Sequence, residues 1–182
     1  MQDSQQYIDN VGESAKFVST RLERNIDVLI LAGTGLGDCI AFDNNPATLS
    51  YADIPHFPQA TVKGHKGEFA FGEMGGLQCA VMRGRFHLYE GYTPREVVYP
   101  IRVMQVLGVK AIIVTNAAGG ITPRIANGEA MVINDHINLT GENPLVGAYS
   151  EHWGDMFTDM TFTYDDELQR AAIEAYRREY HD

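Results

Sequence analysis

The chain has little cysteine, no secretory leader pattern and no long apolar run, and each shortage excludes a class of protein. Its two cysteines, Cys39 and Cys79, are too few for a disulfide framework and lack the CxxC spacing of metal or redox sites. No apolar run approaches the roughly 20 residues of a membrane span. The first residues have no basic stretch followed by an apolar one. These absences predict a cytoplasmic protein without membrane contact.

Basic residues are also scarce. Fourteen Lys and Arg stand against 24 Asp and Glu, which gives a net charge of −10 and argues against a nucleic-acid partner. The basic residues are unevenly placed, because residues 61–124 hold eight of them with only four acidic residues. A basic middle in an acidic protein fits a small anionic ligand drawn to one pocket. Chance clustering is the alternative that these counts leave open.

Buried strands alternate with helices along the chain, and this alternation predicts an α/β fold. With 182 residues and 45% hydrophobic composition, we expect a single domain over residues 1–182. Its sheet should be mixed, at least partly parallel, and flanked by helices. The helices are predicted at 4–24, 93–107 and 165–180, the strands at 28–32, 111–114 and 131–133, a hairpin at 68–82, and a loop with one short strand at 42–60. No strand follows the helix at about 165–181, so the sheet is expected to be truncated.

The most informative segment is residues 83–92, R-G-R-F-H-L-Y-E-G-Y. It mixes two guanidiniums, an imidazole, two phenols and a carboxylate between glycines, which no hydrophobic core requires. Arginine offers a planar fork of donors that matches phosphate or carboxylate, and histidine adds a donor near neutral pH. The segment predicts an oxyanion site beside an aromatic wall. An exposed, salt-bridged turn is the alternative.

Three further loops carry groups suited to an anion. Residues 33–37, G-T-G-L-G, would turn backbone amides and the Thr34 hydroxyl toward one, although a tight structural turn has the same composition. His65 lies in the G-H-K-G loop, where a lone surface histidine is the alternative. Residues 116–120, N-A-A-G-G, follow a predicted strand and would let a ligand approach the main chain. Close packing of a helix on the sheet would also explain them.

Other chemistries have less support in the sequence. The six histidines form no HxxxH or HExxH motif, even with His136 beside Asp135, so no metal site is predicted. No serine lies in a G-x-S-x-G elbow, which disfavours a serine hydrolase. The loops at the strand ends carry donors for one anion and no activated nucleophile. The sequence therefore predicts a site that holds an anion in place.

Five motifs resemble those of the trimeric purine nucleoside phosphorylases. They are G-T-G-L-G, G-H-x-G, G-R-F-H-x-Y-E-G-Y, T-N-A-A-G-G and D-H-I-N-L-x-G-x-N-P-L, in the family's order. The resemblance runs from about Val28 to Tyr164 and is much weaker to the methylthioadenosine phosphorylases. It implies a phosphorylase/hydrolase-like fold and a cytoplasmic homotrimeric pentosyltransferase of purine salvage. Such an enzyme would convert a purine (deoxy)ribonucleoside and orthophosphate to free base and (deoxy)ribose 1-phosphate.

The resemblance also implies how phosphate is held. The implied phosphate ligands are Thr34, His65, Arg85, His87 and the backbone N–H of Ala117. His87 and Glu90 would be the catalytic residues, with Glu90 orienting the pair formed by Arg85 and His87. Thr34 stands where the family usually has serine and keeps the hydroxyl. No metal or cofactor is implied, since orthophosphate is a co-substrate.

The ribose site would be completed by two aromatic residues. The resemblance places Tyr89 against the ribose and carries Phe157 into the ribose site of the neighbouring subunit. The family usually has Arg-Phe-Pro around this phenylalanine, whereas this chain has Met156 and Thr158 beside it.

The family continues for roughly a third of its length beyond the last residue of this sequence. That part carries the residues that bind the purine, so no base-binding residue is expected in this chain. Two alternatives to phosphorolysis stay open. The chain could be a truncated, inactive module for binding or assembly, or a nucleoside hydrolase that uses water instead of phosphate.

Overall fold

The computed structural model describes residues 2–33, 35–59, 66–147 and 153–180, which fall into two compact units, residues 1–117 and 118–182. The first unit contains the sheet and two helices, and the second contains one helix. The α/β class with a mixed sheet is confirmed, while the single-domain organisation stays a prediction. The elements are α1 (Gln2–Leu22), β1 (Val28–Leu31), β2 (Ala47–Ser50), β3 (Glu68–Met74), β4 (Leu77–Arg83), α2 (Pro94–Val106), β5 (Ala111–Val114) and α3 (Asp166–Tyr180).

The sheet has five strands in the order β2-β3-β4-β1-β5. Strand β1 pairs in parallel with both neighbours, with Val28 opposite Cys79 of β4 and Ala111 of β5. The pairs β2–β3 and β3–β4 are antiparallel. Because β4, β1 and β5 run the same way, their carboxyl ends lie at one edge of the sheet. The residues that follow these three strands therefore meet there.

The predicted hairpin is present, and both of its strands extend slightly beyond the predicted bounds. Gly75 and Gly76 join β3 to β4 with positive φ angles of 56° and 79°. This conformation matches the twist of paired strands and is open to glycine at little steric cost. The hairpin aligns Glu68 with Arg83 across the sheet, which becomes important at the site.

Helices α1 and α2 pack together in the first unit. The predicted start of α2 at Thr93-Pro94 is confirmed, and a capping box forms there, since Thr93 and Glu96 satisfy each other's backbone N–H groups. The Tyr7 hydroxyl donates to the Arg95 carbonyl at 3.1 Å, and desolvation by burial raises the pKa of Tyr7 to about 12. The buried hydroxyls of Ser14 and Tyr99 lie 2.8 Å apart.

An aromatic cluster anchors the chain that leads into the predicted anion site. Tyr51 packs against Phe57, Phe69 and Phe86 with ring centroids 5.0–5.6 Å apart. Its hydroxyl donates to the Gly84 carbonyl at 2.9 Å in a buried hydrogen bond. Gly84 and Phe86 flank Arg85, so the core fixes the backbone on both sides of that arginine.

The strand predicted at residues 131–133 is wrong. These residues join no ladder among the residues that the structure describes, and Met131 is 59% exposed. A short apolar run forms a strand only where another strand supplies hydrogen-bond partners, which the run itself does not encode. Within the described ranges, no helix is both long and apolar enough to cross a lipid bilayer.

Candidate functional site: an anion cradle at the ends of three parallel strands

Thr115 joins the ends of β1 and β5. Its backbone N–H donates to the Leu31 carbonyl at 3.0 Å, and its hydroxyl donates to the same oxygen at 3.1 Å. The hydroxyl also accepts from the Gly33 N–H at 2.7 Å. A Cβ at Gly33 would lie 3.1 Å from the Thr115 carbonyl oxygen, so this approach favours glycine. Thr115 therefore fixes where the glycine-rich loop leaves the sheet.

The same threonine holds Arg85. The Arg85 Nη1 donates to the Thr115 carbonyl at 2.8 Å. The Arg85 Nε is buried and has no hydrogen-bond partner among the described residues. A buried guanidinium N–H without an acceptor is costly, and an anion bound beside it would supply one. The arrangement leaves donor capacity on Arg85 at the edge where the strand ends meet.

His87 and Glu90 form a tight pair on the short 3₁₀ helix Leu88–Glu90 and the residue before it. The His87 Nδ1 contacts Glu90 Oε1, whose side chain is 4% exposed. A carboxylate only accepts hydrogen bonds, so Nδ1 carries a proton and the ring orientation is fixed. Glu90 therefore sets how His87 faces the strand edge, while Arg85 bonds the Thr115 carbonyl.

Tyr89 covers the outer side of His87. Its ring stacks on the imidazole with centroids 4.7 Å apart and planes 18° apart. The tyrosine is 82% exposed, so its face is open to a ligand. Behind this polar surface lies a cavity of about 180 Å³ with an apolar wall; Arg85 and His87 line it with Leu31, Met82, Phe86, Val97 and Ile101.

The glycine turn, residues 35–39, lies beside this edge. The Leu36 N–H donates to the Gly33 carbonyl at 3.0 Å, and the Cys39 N–H donates to the Leu36 carbonyl at 3.1 Å. Gly35 has a φ of 79°, which favours glycine. A tight structural turn and an anion-binding loop were the two alternatives for residues 33–37. The structure has a turn here, and its position at the strand edge is compatible with both alternatives. Thr34 and His65, both predicted phosphate ligands, lie outside the described residues.

The remaining predicted residues lie in both units. Ala117 is exposed two residues beyond Thr115, in the first unit. Phe157 is 88% exposed and belongs to the second unit.

Two residues beside the site had no role in the sequence prediction. Thr115 opens the T-N-A-A-G-G motif, and a hydroxyl at the end of a predicted strand was a signal for it. Arg83 lies in the segment 83–92 that predicts an oxyanion site, but only Arg85 is among the implied phosphate ligands. In the structure Arg83 instead bonds the Gly37 carbonyl and Glu68.

The mixed sheet defines an α/β protein, and hydrogen-bond donors suited to an anion lie at the carboxyl edge of its parallel strands. A family model of the phosphorylase superfamily matches residues 27–181, and the chain belongs to that superfamily. It is 43% identical over 164 residues to purine nucleoside phosphorylase 1 of Bacillus subtilis, covering 90% of this chain and 60% of that relative. It is 40% identical over 168 residues to the purine nucleoside phosphorylase of Rattus norvegicus, covering 91% and 58%.

Solved structures agree with this membership. The purine nucleoside phosphorylase of Schistosoma mansoni superposes with a TM-score of 0.87 at 38% identity, over 95% of this chain and 65% of that one. Isoform 2 from the same organism, solved with cytosine and ribose-1-phosphate, gives 0.87 at 36% identity, over 94% and 61%. The chain thus spans less than two thirds of the length of each of these relatives.

Proposed function

We propose that this protein functions as a purine nucleoside phosphorylase. Such an enzyme cleaves purine (deoxy)ribonucleosides with orthophosphate to free base and pentose 1-phosphate. The observation that carries the proposal is Arg85 beside the His87–Glu90 pair: the Thr115 carbonyl holds the guanidinium, and its buried Nε has no partner among the described residues. The similarity to named purine nucleoside phosphorylases supports the same reaction, and the relative solved with ribose-1-phosphate supports a pentose phosphate as its product.

The phosphate would be bound by Arg85, His87, the Ala117 N–H, Thr34 and His65. The first three come from described residues near the ends of β4 and β5. A guanidinium and neutral donors hold a phosphate dianion without protonating it. Glu90 would keep His87 turned toward the anion. No cofactor takes part in the proposed reaction.

Cleavage of the glycosidic bond passes through a sugar with oxocarbenium character, as in glycoside hydrolysis. A phosphate held under the anomeric carbon would stabilise the positive charge as it develops. One phosphate oxygen then forms the new bond to that carbon, while the bonding electrons leave with the purine. Holding both reactants in one site replaces a bimolecular encounter by an ordered pair. Tyr89, stacked on His87 with its face open, would line the ribose.

We also propose a homotrimer in which Phe157 enters the ribose site of a neighbouring subunit. Its 88% exposure supports a role beyond its own subunit, since a large apolar side chain so exposed suits an interface.

The test is release of hypoxanthine from inosine with and without orthophosphate. We expect release only with phosphate, and a loss of roughly 100-fold in Arg85→Lys, because an ammonium cannot hold Thr115 and the anion as a planar fork does. Arg24→Met is the control, because Arg24 is exposed and bonds the Gln78 side chain. Release that persists without phosphate would instead identify a nucleoside hydrolase. A folded protein that releases nothing would favour a binding or assembly module.

A further inference from the structure

Arg83 is the last residue of β4 and lies under the glycine turn. Its Nε donates to the Gly37 carbonyl at 3.2 Å, and its Nη1 lies 3.3 Å from Glu68 Oε1. The side chains of Arg83 and Glu68 are only 16% and 23% exposed. One guanidinium thus joins the turn to two neighbouring strands of the sheet, since Glu68 begins β3.

The backbone of the turn rests on the stem of the same side chain. A Cβ at Gly37 would lie 3.3 Å from Arg83 Cγ and 3.6 Å from Arg83 Cα. The glycine lets the turn approach this closely, and the approach brings its carbonyl within reach of the Nε. Arg83 therefore contacts the turn through packing as well as through a hydrogen bond.

A second contact joins the turn to Lys66, two residues before β3, but this contact is weaker. Lys66 Nζ lies 2.6 Å from Asp38 Oδ1, and these side chains are 52% and 64% exposed. Exposed pairs of this type contribute little and are screened by salt. A half-buried guanidinium that bonds both a carboxylate and a carbonyl is held more firmly. Of these two sets of contacts, those of Arg83 are better suited to set the position of the turn.

We propose that Arg83 is a positioning residue, which fixes the glycine turn at a set distance from Arg85 so that both can contact one phosphate. The two arginines are separated only by Gly84, whose carbonyl is bonded by the buried Tyr51 hydroxyl. Arg85 is held on its other side by Thr115. The glycine turn and Arg85 therefore bound the proposed phosphate site, and residues 83–85, at the end of β4 and just beyond it, order both. Arg83 itself does not touch the ligand.

This inference rests on the proposed function for its ligand, so its test has one readout that needs no catalysis and no phosphate. Hydrogen exchange of the amides in residues 35–39 measures the order of the turn directly. Isothermal titration calorimetry measures the affinity of the protein for orthophosphate. The variants are Arg83→Met, Arg83→Lys, which keeps a donor for the Gly37 carbonyl, and Glu68→Gln, which releases the guanidinium. Arg24→Met removes an arginine that bonds Gln78 near the opposite end of β4 and is the matched control.

In Arg83→Met we expect faster exchange at residues 35–39 and about a tenfold weaker phosphate affinity, the loss that corresponds to one charged hydrogen bond. Arg83→Lys should recover most of both, and Glu68→Gln should lie between wild type and Arg83→Met. Exchange at residues 35–39 that is the same in Arg83→Met, Glu68→Gln and Arg24→Met would overturn the inference. If the wild-type protein binds no phosphate, the proposed function fails, and exchange alone then decides whether Arg83 orders the turn.

Discussion

At the scale of single residues, the candidate site depends on side chains in which one nitrogen is fixed by a protein group while another nitrogen can bind a ligand. Arg85 is fixed through Nη1 by a carbonyl, and its buried Nε has no acceptor in the part of the chain that the structure describes. His87 is fixed through Nδ1 by a nearly buried carboxylate. Ligand-binding groups that are already oriented lose less entropy when the ligand arrives. The same feature makes their partners, Thr115 and Glu90, as important as the ligand contacts themselves.

Glu90→Gln tests this dependence at His87. The amide keeps the shape of the side chain but can present a donor to Nδ1, so the imidazole is no longer held in one protonation pattern. We expect phosphate affinity to fall roughly tenfold, as when an orienting partner of a binding group is removed. The measurement is titration with orthophosphate.

The chain offers a matched control in a second His–Glu pair, His56 and Glu13, which lie 2.7 Å apart in an exposed position. Glu13→Gln should leave phosphate binding unchanged. Equal affinities of Glu90→Gln and wild type would refute the positioning role of Glu90.

At the scale of elements, the site exists because three parallel strands end at the same edge. Strand β1 lies between β4 and β5, and one residue beyond β5 closes the junction. The opposite ends of these strands are joined in a similar way by Asp27, which precedes β1. Its backbone and carboxylate contact Gln78 at the start of β4 and Lys110 before β5.

Thr115→Val removes the hydroxyl at the junction of β1 and β5 while keeping a β-branched side chain. The Gly33 N–H then loses its acceptor, and an unsatisfied donor costs about 1–3 kcal/mol. We expect the free energy of unfolding in urea to fall by about that amount.

Thr20→Val, on the exposed face of α1, is the control. The hydroxyl that it removes donates to the Lys16 carbonyl of the same helix. If both valine variants unfold at the same urea concentration as wild type, Thr115 does not hold the junction.

Asp27 gives a prediction about pH. The Gln78 N–H, followed by Lys110, holds the pKa of this carboxyl below its usual range. A carboxyl whose pKa is lowered by folding stabilises the protein above its unfolded pKa of about 3.9, and that contribution is lost as pH falls through the folded value. We therefore expect Asp27→Asn to lower the melting temperature at pH 7 and to match wild type in strong acid.

Thermal melts across a pH series would check this, with the exposed Asp9→Asn on α1 as control. A difference between Asp27→Asn and wild type that stays constant down to strong acid would show that the charge of Asp27 is not responsible.

At the scale of the whole molecule, the second unit presents many apolar side chains to solvent. Ile137, Leu139, Phe157 and Phe162 are each more than 80% exposed. Apolar surface of this extent is typical of a protein that forms contacts with another chain. The proposed homotrimer gives such contacts a specific purpose, because one of these residues would complete a neighbour's ribose site.

Phe157→Ala tests that assignment. We expect roughly a tenfold rise in KM for inosine and little change in KM for phosphate, since the aromatic face would contact only the sugar. Phe162→Ala, equally exposed in the same unit, should leave both constants unchanged. Analytical ultracentrifugation of the wild-type protein should give a mass about three times 20.2 kDa. The shared ribose site would be refuted if the wild-type protein is a monomer and Phe157→Ala keeps the wild-type KM for inosine.

The signals that predicted the elements correctly were local. Short apolar runs predicted β1 and β5, the Gly75-Gly76 pair predicted the hairpin, and the Thr-Pro start predicted α2. Each of these depends on backbone preferences within a few residues. The run at residues 131–133 failed for the same reason, since a strand also needs a partner that lies elsewhere in the chain.

The sequence by itself determined the α/β class, the family and the residue types of an anion site, because these follow from short motifs and their order. Only the tertiary structure decided how Arg83 and Arg85, which are separated by Gly84, divide their contacts. Arg83 is turned to Gly37 and Glu68, while Arg85 is turned to Thr115. That division comes from the placement of β4 between β3 and β1. Pairing between distant strands brings partners together across the sheet, and no spacing along the chain records it.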